Sequence, residues 1–219
     1  MKKRTKIVAT ISDLRCDVGF LKSLFDAGMN VVRLNTAHQN HEQSLTVINN
    51  VRKVSERIAI LLDTKGPEIR TNPGNDLEVE AGDKLFLVGG PEKQTKDNTL
   101  AVSYSEIIQD LKEGNTILID DGDIELKVIE KHEDYLWCEV QNAGTIEDKK
   151  SVNIPSVHVN LDPLTDKDKE YIRFAADKDL DFIAHSFVRR KEDVKAVKRI
   201  LQEKGKEIKI IAKIENQEG

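Results

Sequence analysis

The hydrophobic periodicity of the chain changes twice, and the two changes divide it into three stretches. In residues 1–71, short apolar runs alternate with segments whose apolar residues recur every three or four positions. In residues 72–157 the helical period disappears, and short alternating runs are separated by turn sequences such as Gly89-Gly90. In residues 158–219 the first pattern returns. The sequence therefore predicts an α/β domain that is interrupted by a small antiparallel β domain, a sandwich or a barrel.

The α/β stretches contain about five predicted strands, too few for a complete barrel. The strands are predicted over residues 6–11, 31–35, 58–62, 180–184 and 208–214, and the helices over 17–28, 41–55, 165–178 and 191–204. Thr165, with Asp168 three residues later, resembles a capping box at the start of the third helix. Such a β-α-β order favours a parallel sheet with right-handed crossovers. A complete (β/α)₈ barrel needs about 250 residues. The predicted fold class is therefore α/β, a partial TIM (β/α)₈ barrel of about five strands with an inserted all-β domain.

Composition excludes several classes of function. The formal net charge of −5 gives no electrostatic support to a nucleic-acid partner. No apolar run approaches the roughly 18 residues of a membrane span, and the basic start at residues 1–4 is not followed by the apolar run of a signal peptide. Cys16 and Cys138 have no metal-ligand or redox spacing. We therefore expect a cytoplasmic protein with two unreactive thiols.

Polar residues stand two positions apart at the carboxyl ends of three predicted strands. The pairs are Arg33 with Asn35, Asp63 with Lys65, and Lys213 with Glu215; Ser186 follows the fourth strand, and Arg70 follows the third at a distance. Residues i and i+2 of a strand share a face, and the carboxyl ends of barrel strands meet on the rim that holds active sites. Taken singly, such a pair is also typical of a solvated strand end or a salt bridge under a loop.

Taken together, these side chains indicate a site for an anionic substrate. Cations outnumber carboxylates, which suits a phosphorylated substrate with one divalent metal, and oxygen ligands favour magnesium or manganese over zinc. Phosphoryl transfer needs this combination of cations and a bridging metal. A lysine base in an aldolase or lyase fits the same residues nearly as well, so the residues alone leave both chemistries open.

Six runs of sequence resemble the pyruvate kinase family, in order and at that family's spacing. The most specific are Asp63-Thr64-Lys65-Gly66-Pro67-Glu68-Ile69-Arg70-Thr71 and Lys213-Ile214-Glu215-Asn216; the others are residues 5–11, 32–35, 152–155 and 186–189. The resemblance implies transfer of the phosphoryl group of phosphoenolpyruvate to ADP in glycolysis, giving pyruvate and ATP, with Mg²⁺ or Mn²⁺. It also implies that residues 1–71 and 158–219 belong to the family's barrel A domain, that residues 72–157 form its β-barrel B domain or lid, and that the parent protein is a homotetramer.

The resemblance also implies roles for individual residues. On the phosphoryl side, Arg33, Lys213 and Ser186 match substrate-binding positions, with Arg33 and Lys213 catalytic, and Glu215 matches one of two carboxylates that hold the divalent metal. Asn35, His38, Arg70 and the lid's Lys150 match nucleotide-binding positions, and Asp121 matches a lid aspartate that reaches the rim on closure. Asn35, Asp63 and Thr64 match ligands of a potassium ion.

The sequence departs from the family pattern at four places. Residues Ser12-Asp13-Leu14-Arg15 replace the usual Gly-Pro-Ala-Ser after the first strand. Ala37 replaces a serine whose hydroxyl is a potassium ligand, whereas Glu68 is the residue type that accompanies a potassium requirement, so potassium stays an open cofactor. His185 stands where a small residue is usual and is expected to be a packing or hydrogen-bonding residue. The second metal carboxylate lies beyond Gly219, so one alternative is that the 219-residue chain is a catalytically incomplete fragment with no activity alone.

Overall fold

The computed structural model describes residues 5–155, 157 and 159–215. These residues divide into two compact units. The first, here called the α/β unit, comprises the described residues up to Pro67 together with Asp162–Glu215; the second, here called the β unit, comprises Glu68–Leu161. The basic start at residues 1–4 and Asn216 of the Lys-Ile-Glu-Asn run lie outside the described residues.

Helices and strands are numbered in chain order. The strands are β1 (Val8–Thr10), β2 (Val31–Asn35), β3 (Ala59–Asp63), β4 (Ile69–Arg70), β5 (Leu77–Val79), β6 (Lys84–Gly89), β7 (Thr99–Val102), β8 (Thr116–Ile119), β9 (Ile124–Lys131), β10 (Leu136–Val140), β11 (Gly144–Ile146), β12 (Ser151–Asn153), β13 (Phe182–His185) and β14 (Lys209–Ala212). The α-helices are α1 (Val18–Asp26), α2 (His41–Val54), α3 (Ile107–Asp110), α4 (Asp166–Asp177) and α5 (Lys191–Glu203). No helix in the described part of the chain is both long and apolar enough to cross a membrane.

The α/β unit is built on one five-stranded sheet in the order β1-β2-β3-β13-β14. All four pairings are parallel. Helices connect β1 to β2, β2 to β3 and β13 to β14, whereas the connection from β3 to β13 runs through the β unit and α4. These five parallel strands confirm the predicted fold class, a partial α/β barrel, and bring the carboxyl ends of all five strands to one edge of the sheet.

Sequence signals at the helix ends explain where the α/β helices begin. The Asp17 side chain accepts a hydrogen bond from the Phe20 N–H at 2.9 Å and starts α1. The Thr165 hydroxyl accepts from the Asp168 N–H, and the Asp168 carboxylate accepts from the Thr165 N–H, so α4 opens with the predicted capping box. Asn40 and Gln43 form a second such box before α2.

One apolar core fixes these helices on the sheet. Strand residues Val32, Leu34, Ile60 and Leu62 are fully buried. The buried helix residues packed in the same cluster include Leu21, Val47, Val51, Ile172, Ala175, Val197 and Leu201. Because this core occupies the inside of the α/β unit, the polar residues at the strand ends are left to form a separate cluster.

The β unit contains a seven-stranded sheet that nearly closes on itself. Its strand order is β4-β12-β8-β9-β10-β6-β7, antiparallel except between β6 and β7. An isolated bridge between Thr71 and Val102 joins the two ends of this order, and β5 pairs with β11 beside it. A second apolar core, which includes Leu87, Leu100, Ile117, Leu126 and Leu136, fills its interior. The unit therefore has its own core as well as its own sheet.

Candidate active site

Five strands of the α/β unit deliver polar side chains to the same edge of the sheet. Thr10 ends β1, Arg33 lies on β2, and Asp63 ends β3. Ser186 follows β13 directly, and Lys213 follows β14 directly. The parallel register sets Arg33 opposite Thr10 and Leu61, and Asn35 opposite Asp63. Parallel topology therefore brings Lys213 to Asp63, which lies 150 positions earlier in the chain.

Asp63 receives the guanidinium group of Arg33. The Arg33 Nε donates to Asp63 Oδ2 at 2.6 Å, and Nη2 lies 2.5 Å from the same oxygen. The third side of the guanidinium is held by β1, since Arg33 Nη1 donates to Thr10 Oγ1 at 2.9 Å. The Asp63 side chain is 5% exposed and that of Arg33 is 32% exposed. The buried carboxylate thus fixes the guanidinium group of Arg33, while part of the arginine side chain stays exposed to solvent.

Lys213 reaches the same carboxylate from the other side. Its Nζ donates to Asp63 Oδ1 at 3.1 Å and to Ser186 Oγ at 2.9 Å, and lies 3.4 Å from Glu215 Oε1. The Lys213 side chain is 31% exposed. Glu215 is held in turn by the Phe187 N–H, which donates to its Oε2 at 2.9 Å. Two cations therefore share one buried carboxylate, and an additional carboxylate stands beside one of them.

The backbone at this edge adopts conformations that are costly for ordinary residues. Phe187, whose N–H holds Glu215, has a φ of 55° in the left-handed region. Gly66 has a φ of 72°, and a Cβ at that position would come within 2.9 Å of the Phe187 ring. The Gly66 N–H donates to Asp168 of α4 at 3.3 Å. Such strain is retained where surrounding contacts over-determine the backbone, as they do around a functional site.

His185 is buried directly behind the polar cluster. Its Nδ1 lies 3.5 Å from Thr64 Oγ1, and Thr64 Oγ1 accepts from the Ser186 N–H at 3.1 Å. Burial lowers the pKa of His185, although the charges of Asp168 and Asp193 act in the opposite direction. Within the described residues its Nε2 makes no hydrogen bond. The structure thus places His185 in a packing and hydrogen-bonding position, behind Ser186.

Asn35 ends β2, and Ala37 and His38 lie in the loop that follows. Asn35 Oδ1 accepts from the Ala37 N–H at 3.1 Å, and His38 is exposed. Gln39 Nε2 donates to the carbonyl of Ile11 at 2.9 Å, which attaches this loop to the segment after β1. Lys65, predicted to pair with Asp63 at the strand end, is half-buried. Of the residues predicted from strand ends, Arg33, Asp63, Ser186, Lys213 and Glu215 are the ones that the structure joins in one network.

The other predicted residues belong to the β unit. Arg70 lies on β4, where its Nη2 pairs with Glu68 at 2.5 Å and its Nη1 donates to the Lys149 carbonyl. Lys150 Nζ lies 2.7 Å from Asp120 Oδ2 and 2.8 Å from Glu147 Oε2, and these hydrogen bonds raise the pKa of Lys150. Asp121 is exposed, and its N–H donates to Ser151 Oγ. Arg70 and Lys150 are therefore both held by carboxylates of their own unit.

Two contributors were not predicted from the sequence. Thr10 is a polar strand end like the others, but it stands alone, so the search for paired residues passed over it. Asp120, which holds Lys150, directly precedes the predicted Asp121 and has a φ of 53°. Only the three-dimensional structure distinguishes which of the two aspartates meets the lysine.

Glu215 has the chemistry of a magnesium ligand. Its carboxylate supplies hard oxygen donors, and its side chain is 34% exposed beside the Lys213 ammonium. In the described ranges, no three His, Cys, Asp or Glu side chains group together as a ready metal site. Glu215 therefore fits a divalent ion that takes its remaining ligands from substrate, water or other residues, as magnesium commonly does.

Comparisons with known proteins agree on one family. The family model described as the barrel domain of pyruvate kinase matches residues 2–219. A pyruvate kinase of Borreliella burgdorferi is 49% identical over 221 residues, which cover 100% of this chain and 46% of that protein. Pyruvate kinases of Staphylococcus epidermidis and Staphylococcus aureus are 44% and 43% identical, each over 99% of this chain and 38% of their own length. The chain thus spans less than half the length of these curated relatives.

Proposed function

Because this chain belongs to the pyruvate kinase family, we propose that it forms part of an enzyme that transfers the phosphoryl group of phosphoenolpyruvate to ADP, giving pyruvate and ATP. The observation that carries the proposal is the pair of cations, Arg33 and Lys213, joined on the buried Asp63 at the carboxyl edge of a parallel sheet. Phosphoryl transfer depends on positive charge that is already in position when the transition state forms.

Arg33 and Lys213 are proposed to bind the phosphoryl group and the enolate. Each is about one-third exposed, so each can meet an anion while its other contacts hold it in place. A guanidinium group binds a phosphoryl group through two parallel N–H donors, whereas an ammonium group acts as a compact charge. Ser186 Oγ accepts from Lys213 at 2.9 Å and is proposed to orient this lysine toward substrate.

Glu215 is proposed to hold the divalent metal, Mg²⁺ or Mn²⁺. The ion would supply positive charge that reduces the repulsion between a phosphorylated substrate and an incoming anionic nucleophile. The protein's own contribution is to orient the carboxylate, since the Phe187 N–H fixes Oε2 and Lys213 lies near Oε1. These contacts hold the Glu215 carboxylate in one position and so support its proposed role as a metal ligand.

The β unit is proposed to be the inserted lid predicted over residues 72–157, within a barrel domain formed by residues 1–71 and 158–219. Arg70 and Lys150 are proposed to contact the phosphates of the nucleotide, together with Asn35 and His38 of the α/β unit, and Asp121 is proposed to reach the site when the lid closes. The fixed Lys150 ammonium supports a role in binding an anion. Closing a lid excludes water and strengthens such electrostatic contacts.

Membership of the same family also supports proposals about the cellular compartment and the oligomeric state. We propose a cytoplasmic, glycolytic enzyme that assembles as a homotetramer. Cys16 and Cys138 are both buried and free, which agrees with a reducing compartment. For the isolated 219-residue chain we propose no turnover, because it spans only 46% of the Borreliella relative.

A coupled assay tests both proposals. The native protein that carries this sequence should produce pyruvate from phosphoenolpyruvate and ADP in the presence of magnesium, measured through lactate dehydrogenase, while its intact mass shows the length of the active chain. The isolated 219-residue chain should be inactive in the same assay. Absence of pyruvate formation by the native protein would refute the proposed activity, and turnover by the isolated chain would refute its proposed incompleteness.

A further inference from the structure

Three side chains, two of them cations, contact the Asp63 carboxylate. Oδ2 lies 2.6 Å from Arg33 Nε and 2.5 Å from Arg33 Nη2. Oδ1 lies 3.1 Å from Lys213 Nζ and 3.3 Å from Ser186 Oγ. An ionised carboxylate offers about four acceptor positions. The single Ser186 proton goes to the nearer Thr64 carbonyl, at 2.6 Å, so three N–H donors from two cations hold the carboxylate. With Asp63 only 3% exposed, neither of its oxygens is directed to solvent.

At the other positions that the family resemblance assigns to a potassium ion, Thr64 and Asn35 already accept hydrogen bonds within the protein, and Ala37 has no side-chain oxygen. The Thr64 carbonyl accepts from Ser186 Oγ at 2.6 Å, and Thr64 Oγ1 accepts from the Ser186 N–H at 3.1 Å. Asn35 Oδ1 accepts from the Ala37 N–H at 3.1 Å. Ala37 itself carries a methyl group where the family pattern has a hydroxyl. The side-chain oxygens around Asp63 are therefore directed into the protein's own hydrogen bonds.

The local charge disfavours a further cation. Arg33 and Lys213 already place two positive charges at Asp63, and the other carboxylate of the network, Glu215, is held by the Phe187 N–H with its Oε1 3.4 Å from Lys213 Nζ. A potassium ion at the same carboxylate would add a third positive charge at close range in a site that is largely shielded from water, where repulsion is stronger than in bulk solvent. The residues present thus do not fit a potassium ion at Asp63.

We propose that Asp63 is a positioning residue that joins Arg33 to Lys213, and that this internal ion-pair bridge makes phosphoryl transfer by this protein independent of potassium. The inference rests on the proposed function. A single buried carboxylate holds the two cations at a fixed separation, so that both can bind one phosphoryl group. Without it, the two like charges would repel each other and separate.

The cation arm of the test needs no variant. The native protein is assayed in potassium, sodium and tetramethylammonium salts at equal ionic strength, and its thermal melting midpoint is measured in the same salts. We expect initial rates within about twofold of one another and melting midpoints that do not distinguish potassium. A rate in potassium more than about twofold above the others, or a melting midpoint raised by potassium alone, would overturn the proposal.

A gain-of-ligand variant sharpens this arm. Ala37→Ser restores the hydroxyl of the family pattern beside Asn35. If the Asp63 bridge excludes the ion, Ala37→Ser should remain as insensitive to potassium as the native protein. A variant that becomes potassium-stimulated would show that the missing hydroxyl, and not the bridge, excludes the ion, and would overturn the role given to Asp63.

The bridge itself is tested with Asp63→Asn, since an amide retains the shape but loses the charge. We expect kcat/KM for phosphoenolpyruvate to fall about a hundredfold, equally in potassium and sodium, because misplaced charges lose transition-state stabilisation. Asp181→Asn is the matched control: Asp181 is exposed and accepts from the Ile60 N–H, a bond that the amide oxygen preserves. Near-native kcat/KM in Asp63→Asn would refute the bridge.

Failures of the two proposals are distinguishable. If the native protein forms no pyruvate in any salt, the proposed activity fails, while the melting measurements still report whether potassium binds. If the native protein is active but potassium-stimulated, the proposed activity stands and the ion-pair bridge fails. Should Asp63→Asn not fold, as its circular dichroism spectrum would show, the native and Ala37→Ser measurements still decide the inference.

Discussion

The two units of the molecule use charged residues in different ways. In the α/β unit, Asp63 is 5% exposed and bonds cations that lie 30 and 150 positions away in the chain. In the β unit, the pair Lys84 and Glu139 joins directly opposed residues of neighbouring strands, with side chains 45% and 38% exposed. Exposed pairs of this kind contribute little to stability, whereas a buried carboxylate needs its partners. A buried carboxylate that holds two cations, such as Asp63, thus distinguishes the candidate active site from exposed surface pairs.

The difference follows from topology. Parallel strands bring their carboxyl ends to one edge, so one residue from each of several distant segments contributes to a single cluster. An antiparallel sheet distributes its strand ends between two edges, and a cross-strand pair such as Lys84–Glu139 joins only two adjacent strands. The apolar cores, by contrast, are similar: each unit has a cluster of fully buried aliphatic side chains. The two units therefore differ in the polar residues at their strand ends and not in their apolar cores.

The sharpest test of this comparison is removal of the Lys213 charge. Lys213→Met in the native protein should lower kcat about a thousandfold while its circular dichroism spectrum stays unchanged, because an oriented charge that stabilises the transition state is lost. Lys209→Met, at the start of the strand that Lys213 follows, is the matched control: Lys209 is exposed and its Nζ lies 5.8 Å from the Phe182 ring centroid. Similar kcat values for the two variants would show that the strand-end position has no special role.

The cores are compared by matched leucine truncations. Leu34→Ala in the α/β unit and Leu87→Ala in the β unit each remove a fully buried side chain and should each lower the free energy of unfolding by about 2–5 kcal/mol. The single tryptophan, Trp137 on β10, reports the β unit, so its fluorescence should respond to Leu87→Ala more than to Leu34→Ala.

Leu14→Ala serves as the control for both truncations. Leu14 is 90% exposed, and its truncation should change the free energy of unfolding by less than about 0.5 kcal/mol. Equal shifts of the Trp137 transition by Leu34→Ala and Leu87→Ala would contradict separate cores and indicate one cooperative unit.

Local signals explain how much of the fold the sequence predicted. The periodicity and the Thr165–Asp168 capping box located α4 to within a residue or two, because a helix start depends on neighbours three positions apart. Arg33, Asp63 and Lys213 were also predicted from local sequence, because each stands at the carboxyl end of a short apolar run. That Asp63 is shared by both cations could not be predicted, since it depends on β3 lying between β2 and β13 after a long insertion. The left-handed Phe187 likewise carries no sequence signal.

A third test concerns the β unit and compares the effects of two neighbouring lysines, Lys150 and Lys149, on nucleotide binding. Lys150→Ala should raise KM for ADP about tenfold and leave KM for phosphoenolpyruvate unchanged, if the lysine binds nucleotide phosphate. The hydrogen bonds that Lys150 donates to Asp120 and Glu147 raise its pKa, so the ammonium stays charged. The effect should therefore be constant from about pH 7.5 to 9, where the terminal phosphate of ADP is also ionised.

Lys149→Ala is the matched control for that test. The Lys149 side chain is 73% exposed and pairs with the adjacent Asp148. Its truncation should leave both KM values near those of the native protein. An equal rise in KM for ADP in the two variants would indicate that general positive charge attracts the nucleotide, and would remove the distinction between the held lysine and the exposed one.

The smallest expected effect is a pH dependence that belongs to the α/β unit. Burial lowers the pKa of His185, so between its lowered pKa and the ordinary value of 6.5 the unfolded chain binds more protons than the fold. His185 therefore reduces stability progressively as the pH falls below about 6.5. The cavity left by His185→Ala lowers stability at every pH, but that variant has no buried imidazole to protonate. The stability advantage of the native protein over His185→Ala, measured by urea unfolding, should accordingly narrow from about pH 7 to pH 5. An advantage that widens toward acid would mean that the aspartates Asp168 and Asp193 outweigh burial, and that His185 acts as a charged partner in the fold.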